Sequence, residues 1–311
     1  MYERIINHGV HGVSDTKIFL SLKNSVYSVV FLFLIILSIM SSCSTKPKNP
    51  GDVYDVRKQA EAHLALGGRQ ADRGVFDTAL VILDEALRLA VAADDSSLRI
   101  RAGLSRGNVL FSLERGGEAE KAWNDALDEA ERAGKNELAA VSRVHIARGQ
   151  LLSPEGKTSA QTIRDGVNRN LAQIKDRYYT AFAWTIIGLA EKELGRYPQA
   201  EAAVRRALDI HEKDRYFELA AYDWFMIASF RSLAGNYRGA LQALEAAVAF
   251  DRRVENSWGL ASDWQAMGDV HRKAGSAEAS RAAYLRAAEI FQAAGSSEAA
   301  AKALSRSESG L

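Results

Sequence analysis

Cysteine occurs once in this chain of 311 residues, proline four times, and aromatic side chains make up 8% of it. One thiol excludes an internal disulfide framework. Two of the prolines, Pro47 and Pro50, stand together, so little elsewhere interrupts a helix. The abundance of Ala, Leu, Arg and Glu is a helical composition. Charge of one sign is also missing, because 40 basic residues face 39 acidic ones. Residues 1–42 hold Arg4, Lys17, Lys23, Glu3 and Asp15, and without them the balance is zero. A neutral body lacks the basic face that displaces counterions from phosphates, so no nucleic-acid partner is expected.

Reactive groups are as sparse. His63, His145, His211 and His271 are far apart, and none has a second His or Cys three or four residues away. They read as packing or surface residues, and no metal is expected. Gly156-Lys157-Thr158 looks like the end of a phosphate loop, but residue 151 is Leu where that loop needs Gly, and its flanks read as helix. No Gly-x-Ser-x-Gly nucleophile elbow and no isolated carboxylate pair stands out from the many Glu and Asp residues of solvated helix faces. The sequence therefore nominates no catalytic residue and no cofactor.

Val26 to Met40 is apolar apart from Ser28 and Ser38, and Lys17 and Lys23 precede it. Fifteen residues fall short of the roughly twenty that span a bilayer as a helix, and suit the core of a signal peptide. The residues before Lys17 add nothing that a signal peptide needs, which leaves open a start later than Met1. The run ends in Met40-Ser41-Ser42-Cys43. This resembles the lipobox of bacterial lipoproteins, with Met40 in place of the usual Leu. The resemblance implies a diacylglycerol on the Cys43 thiol, cleavage before Cys43, and stable anchoring by two or three acyl chains. Ser44 rather than Asp follows, which by analogy with enteric lipoproteins implies the outer membrane. Ser44 to Asp52 reads as a polar tether with a reach of at most about 30 Å.

Beyond the tether the chain repeats. Ala79, Ala119, Ala160, Ala200, Ala240 and Ser280 recur at steps of 40 or 41, and seven residues after each come Ala86, Ala126, Val167, Ala207, Ala247 and Ala287. Small residues at such a fixed phase mark helix crossings. Gly67, Gly107, Arg148 beside Gly149, Gly188, Ala228 and Gly268 form an earlier column, and Trp184, Trp224 and Trp264 another. Gly74, Gly195, Gly235 and Gly275 sit where a left-handed residue ends a helix.

Trp184, Ile187, Gly188, Gly195, Tyr197, Ala200, Val204 and Ala207 in this register resemble the tetratricopeptide repeat, in a variant longer than the common 34 residues. The resemblance implies an all-α solenoid of about six antiparallel hairpins. Each is expected to hold two helices of about seventeen residues joined at the glycine. Asp94 to Ser97, Gly134 to Asn136, Asp176, Asp214, Asn256-Ser257 and Gly295 to Ser297 carry residues that cap helix starts. The third unit, with its Ser153-Pro154-Glu155-Gly156 turn and with Arg164 and Val167 at core positions, is expected to be irregular. The expected division is a signal peptide over 1–42, lipidated cysteine and tether over 43–54, repeats over 55–295, and a capping helix and tail over 296–311.

In this family the first helix of each hairpin lines the concave side, where partners lie. The repeat phase then points inward Arg101, Asn108 and Phe111 in unit two, and Phe182, Leu189 and Lys192 in unit four. Tyr222, Phe225 and Ser229 follow in unit five, and Gln265, Asp269 and Arg272 in unit six. Phe182, Tyr222 and Phe225 suit either aromatic anchors for a peptide or fillers between hairpins. The resemblance implies a non-enzymatic, membrane-anchored scaffold or assembly factor with a protein or peptide partner. A sensor whose array closes on a small molecule, peptide or glycan is the alternative.

Overall fold

The computed structural model describes residues 55–154 and 156–308. The apolar run, Cys43 and the whole tether lie outside them, as do residues 309–311 of the expected tail. Among the described residues there are thirteen α-helices and no strand, and no helix is long and apolar enough to cross a membrane.

Six hairpins follow one another: α1 (Val56–Asp72) with α2 (Phe76–Ala92), α3 (Ser96–Ser112) with α4 (Gly116–Arg132), and α5 (Asn136–Leu151) with α6 (Gly156–Leu171). Then come α7 (Arg177–Glu193) with α8 (Tyr197–Lys213), α9 (Phe217–Leu233) with α10 (Tyr237–Arg253), and α11 (Ser257–Lys273) with α12 (Ala277–Ala293). A last helix, α13 (Ser297–Glu308), buries Ala300, Ala303 and Ser307 on the sixth hairpin and turns Ala301, Lys302 and Ser305 to solvent. A polar-faced cap of this kind closes the apolar end of a solenoid. The expected tetratricopeptide-like architecture is therefore what forms.

The repeating alanines are the crossing points. Ala79, Ala119, Ala160, Ala200 and Ala240 are wholly buried, and Ser280 meets the same need by donating its hydroxyl to the Gly268 carbonyl at 2.8 Å. Facing them, a Cβ at Gly188 would stand 2.5 Å from Val204 Cγ2, and one at Gly107 would stand 2.3 Å from Trp123 Nε1. Those glycines are there for proximity, since any side chain would push the paired helix away.

The turns are Schellman closures. Arg196 N donates to the Glu191 carbonyl and Gly195 N to the Lys192 carbonyl, both at 2.9 Å, with Gly195 at φ +71°. Asp94, Glu114, Arg215 and Glu255 adopt the same positive φ without being glycine, a strained choice for an L-residue. Asp55, Asp95, Asp176, Asn236 and Asn256 cap helix starts through their side chains. Asp214 does not: it closes the end of α8 and pairs with Arg177 at 2.7 Å, while the next helix starts at Phe217 with Tyr216 at its cap and no side-chain cap bond. Gly134 and Gly295 likewise end helices, at φ +65° and +78°.

The third hairpin departs from the rest as expected. Its two helices have 16 residues each, against 17 in the other hairpins. Arg164 on its outer helix is held by Asp165 at 3.0 Å and by Glu191 of the next hairpin at 3.2 Å. The Glu137 carboxylate accepts from the Lys175 and Asp176 amides at 2.7 and 2.8 Å, which ties the loop after α6 back onto α5.

The core is a chain of clusters, one joining hairpins two to four, one joining four to six, and one at each end. Curvature follows from which helices meet. The first helices of successive hairpins touch, α1 with α3, α3 with α5, α5 with α7 and α9 with α11, while the second helices stay further apart. The first-helix side is thus the shorter arc and forms the concave face.

Candidate functional site

On that face Arg101, Phe111, Leu189, Lys192, Tyr222, Phe225, Ser229, Gln265 and Asp269 are half-buried, and Arg272 is exposed. Asn108 and Phe182 are not lining residues in the expected sense, being only 6% and 5% exposed. They lie in the floor, where neighbouring hairpins meet. Three of the charged candidates, Lys192, Asp269 and Arg272, are already engaged. Asp269 takes Arg272 at 2.8 Å, Arg306 at 3.1 Å and the Tyr284 hydroxyl at 2.6 Å, and Lys192 pairs with Glu193 at 2.8 Å. The middle of the trough is where ring faces and unpaired polar atoms remain.

There the structure joins Phe111 and Phe182 to side chains that the repeat phase did not single out. Phe111 lies 5.7 Å from Trp123, Trp123 lies 6.2 Å from His145, and His145 lies 4.6 Å from Phe182 and 6.5 Å from Tyr179. Tyr178 continues the row to Tyr179 at 5.4 Å and Tyr216 at 5.8 Å. Arg148, standing in the column of small residues, stacks its guanidinium 4.9 Å from the Phe111 centroid, a cation–π contact. Burial, reinforced by the Arg148 charge, pushes the His145 imidazole down to about 3, so it is neutral at physiological pH. Burial raises the Tyr178 and Tyr179 phenols, which keep their protons. Among the described residues neither His145 Nδ1 nor Asn108 Oδ1 has a hydrogen-bond partner. Unpaired buried polar atoms are costly, and beside a groove they point to a bound group.

A second polar group lies under the wall between hairpins four and five. His211 on α8 and Asp223 on α9 are both buried, with Nδ1 of His211 2.6 Å from Oδ2 of Asp223. Burial pushes the Asp223 carboxyl up to about 6 in spite of the histidine. Forty residues on, the same two places hold Asp251 and Asp263, equally buried and hydrogen-bonded to each other. Burial chiefly, with the Glu218 charge, pushes Asp251 up to about 6 against the lowering effect of Asn256 and Asp263. Two carboxyls bond in this way only when one holds a proton. Reading His211 as an ordinary packing histidine missed this pair. The signal was available eleven and twenty-three residues after the small column, where the earlier units carry Ala90 with Ala102 and Ala130 with Ser142.

Other places are accounted for by packing. Gly103-Leu104-Ser105-Arg106-Gly107 spells a nucleophile-elbow pattern that the sequence reading passed over, but it lies inside α3, with Gly103 and Gly107 packed on Ala126 and Trp123. Gly156-Lys157-Thr158 opens α6 directly after a helical hairpin turn. Of the tryptophan column, Trp184 lies under the Arg206 guanidinium at 4.3 Å and Trp224 donates to Glu212 at 3.3 Å. Among the described residues, no group of three or more His, Cys, Asp or Glu is placed to hold a metal ion. A cleft of about 450 Å³ opens between the turns of hairpins two and three, lined by Phe111, Trp123, Ile146, Leu152 and Pro154.

The fold and the groove define a helical-repeat protein of the tetratricopeptide-like class. No protein-family model and no curated protein matches the sequence. Among solved structures, the chain is similar to a Rap protein complexed with competence and sporulation factor, with TM-score 0.58, 15% identity, and 89% of this chain and 79% of that one covered. It is similar to the Rap conjugation gene regulator of plasmid pLS20 in complex with the Phr* peptide, with TM-score 0.56, 12% identity, and coverage of 93% and 85%. PilW, a type IV pilus biogenesis factor, superposes with TM-score 0.52, 17% identity, and coverage of 79% and 98%. At these identities the likeness is one of fold.

Proposed function

We propose that this chain is a non-enzymatic binding protein that holds a peptide, or an extended segment of a protein, in its concave trough. One observation carries the reading: the aromatic row from Phe111 through His145, with Phe182 beside it, and on through Tyr179 to Tyr178 runs beside buried polar atoms, Asn108 Oδ1 and His145 Nδ1, that have no hydrogen-bond partner among the described residues. Aromatic anchors flanking a few convergent polar groups are the usual composition of a peptide groove. The Phr* complex of a Rap protein, a neighbour in fold, is in keeping with it. We further propose that Cys43 carries the lipid and that the body works as a scaffold or assembly factor at the periplasmic face of the outer membrane.

A photo-crosslinking residue at Phe225, in the trough, tests the groove against one at Val81, which is 70% exposed on α2 of the outer side. Covalent capture of a protein or peptide in intact cells from Phe225 and not from Val81 is expected, and equal capture from both overturns the reading. The anchor is tested separately: Cys43→Ser is expected to abolish metabolic labelling with an alkyne fatty acid and to release the chain from membranes.

The cleft between hairpins two and three favours a second reading, a sensor of a small molecule or glycan. Its volume of about 450 Å³ falls within the usual range of small-molecule pockets. A screen that raises the melting temperature with a small compound, and loses the effect in Ile146→Glu, supports that reading.

A further inference from the structure

The recess beneath Tyr178 and Tyr222, between hairpins four and five, has a chemistry of its own. Its floor is Asp223, 1% exposed, with Oδ2 facing His211 Nδ1 at 2.6 Å and Oδ1 without a hydrogen-bond partner among the described residues. Its walls are Tyr178, Phe182, Leu219 and Tyr222. Thr185 also borders it, but its hydroxyl donates to the Ala181 carbonyl at 3.2 Å. An ionised oxygen in such a place calls for a donor, and a charged donor binds it best.

Charge and size narrow the choice of donor. One N–H of His211 satisfies Oδ2 and leaves Oδ1 still in want of a donor. Among the described residues the other charge that bears on Asp223 is Glu212, also negative. Aromatic faces add attraction for a cation. The open volume is only about 10 Å³, which admits one compact group and is too narrow for a planar guanidinium. We propose that this recess seats a primary ammonium of the groove's occupant, either a lysine tip or a chain N-terminus, with Asp223 as counter-ion inside a collar of Tyr178, Phe182 and Tyr222. The proposal rests on the reading of the trough as a peptide groove.

The full chain, purified in mild detergent, is applied to an array of random octapeptides with free or acetylated N-termini. The wild type is expected to select peptides with a lysine or a free N-terminus at one place, and acetylating that amine should lower retention about tenfold or more. Selection through lysine points to a side chain, and selection through the free terminus to a chain end. Asp223→Asn should keep general peptide binding and lose the amine preference. Should that variant fail to fold by circular dichroism, Tyr222→Leu replaces it, with a several-fold weaker preference expected. Equal selection of Gln or Arg at that place overturns the ammonium recess, as does an Asp223→Asn chain that still prefers the amine. A probe independent of any peptide is n-butylammonium chloride, which should shift the His211 NMR signals of the wild type and not of Asp223→Asn, while n-butanol shifts neither. Absence of that shift overturns the recess even if peptides bind, and a shift without any peptide binding overturns the groove reading instead.

Discussion

The joints between hairpins one and two, and two and three, are sealed by Ala90 with Ala102 and Ala130 with Ser142. At the same repeat positions, the joints between four and five, and five and six, carry His211 with Asp223 and Asp251 with Asp263. All eight residues are buried. The frame thus tolerates either small packing or ionisable pairs at one geometric position, but with different consequences. The N-terminal joints rest on packing, which pH leaves alone. The C-terminal joints contain carboxyls displaced toward neutrality, and their strength depends on protons.

The sharpest way to break the comparison is to remove the packing on its N-terminal side. Trp123 is 1% exposed and fills the space between Gly107 and Gly149. Trp123→Ala should cost about 3–5 kcal/mol, read as early loss of hydrogen-exchange protection in hairpins two and three while hairpin six keeps its own, because solenoid units answer mainly to their neighbours. Simultaneous loss throughout the rod would show that the two halves are not separable.

The C-terminal side is tested with protons. Asp251 has a folded-state pKa of about 6 against an ordinary value of 3.8, so the folded chain holds a proton that the unfolded chain releases between those pH values. Stability from this group is full below about pH 4 and declines as pH rises through about 6, the reverse of an ion-paired carboxylate. Asp251→Asn, which needs no proton, should therefore gain on the wild type by on the order of 2 kcal/mol between pH 4 and 7 in urea melts followed by Trp264 fluorescence. A pH-independent difference would mean that the pair does not titrate there. Going further, Asp251→Ala with Asp263→Ala copies the Ala90 and Ala102 joint. At pH 8 it should be neutral to stabilising by about 1–2 kcal/mol, and marked destabilisation would show that the frame needs the carboxyl pair for more than filling space.

Smaller effects refine the picture at the turns. Arg215 ends a helix at φ +64°, where six other turns within or between hairpins use glycine at φ +65° to +78°. Arg215→Gly should stabilise by about 0.5–1 kcal/mol, the relief of left-handed strain less the entropy of glycine. Arg177→Ala, which breaks an exposed pair with Asp214, should move the melting midpoint by less than about 1 kcal/mol.

The forty-residue phase of small residues was legible because a helix crossing sets the same steric demand in every unit. For the same reason Gly74, Gly195, Gly235 and Gly275 announced their turns: the left-handed residue that ends a helix favours one amino acid strongly. The helix starts were read less well, as at Asp214, because a carboxylate suits the close of one segment through an ion pair as readily as the opening of the next. Asn108 and Phe182 were placed on the lining because phase gives the face of a helix but not how deeply the neighbouring hairpin covers it.

By itself, then, the sequence determined that the repeat region is all helix, where the glycine-marked hairpins turn, and that unit three departs from the others, since these depend on contacts within one repeat. Only the tertiary structure decided that His211 meets Asp223, that Asp251 meets Asp263, and that Phe111, His145, Phe182 and Tyr178 fall in one row of ring contacts. Such contacts cross from one hairpin to the next, and how far two neighbours slide and twist is set by summed packing along the whole joint. A pattern read one unit at a time does not contain that sum.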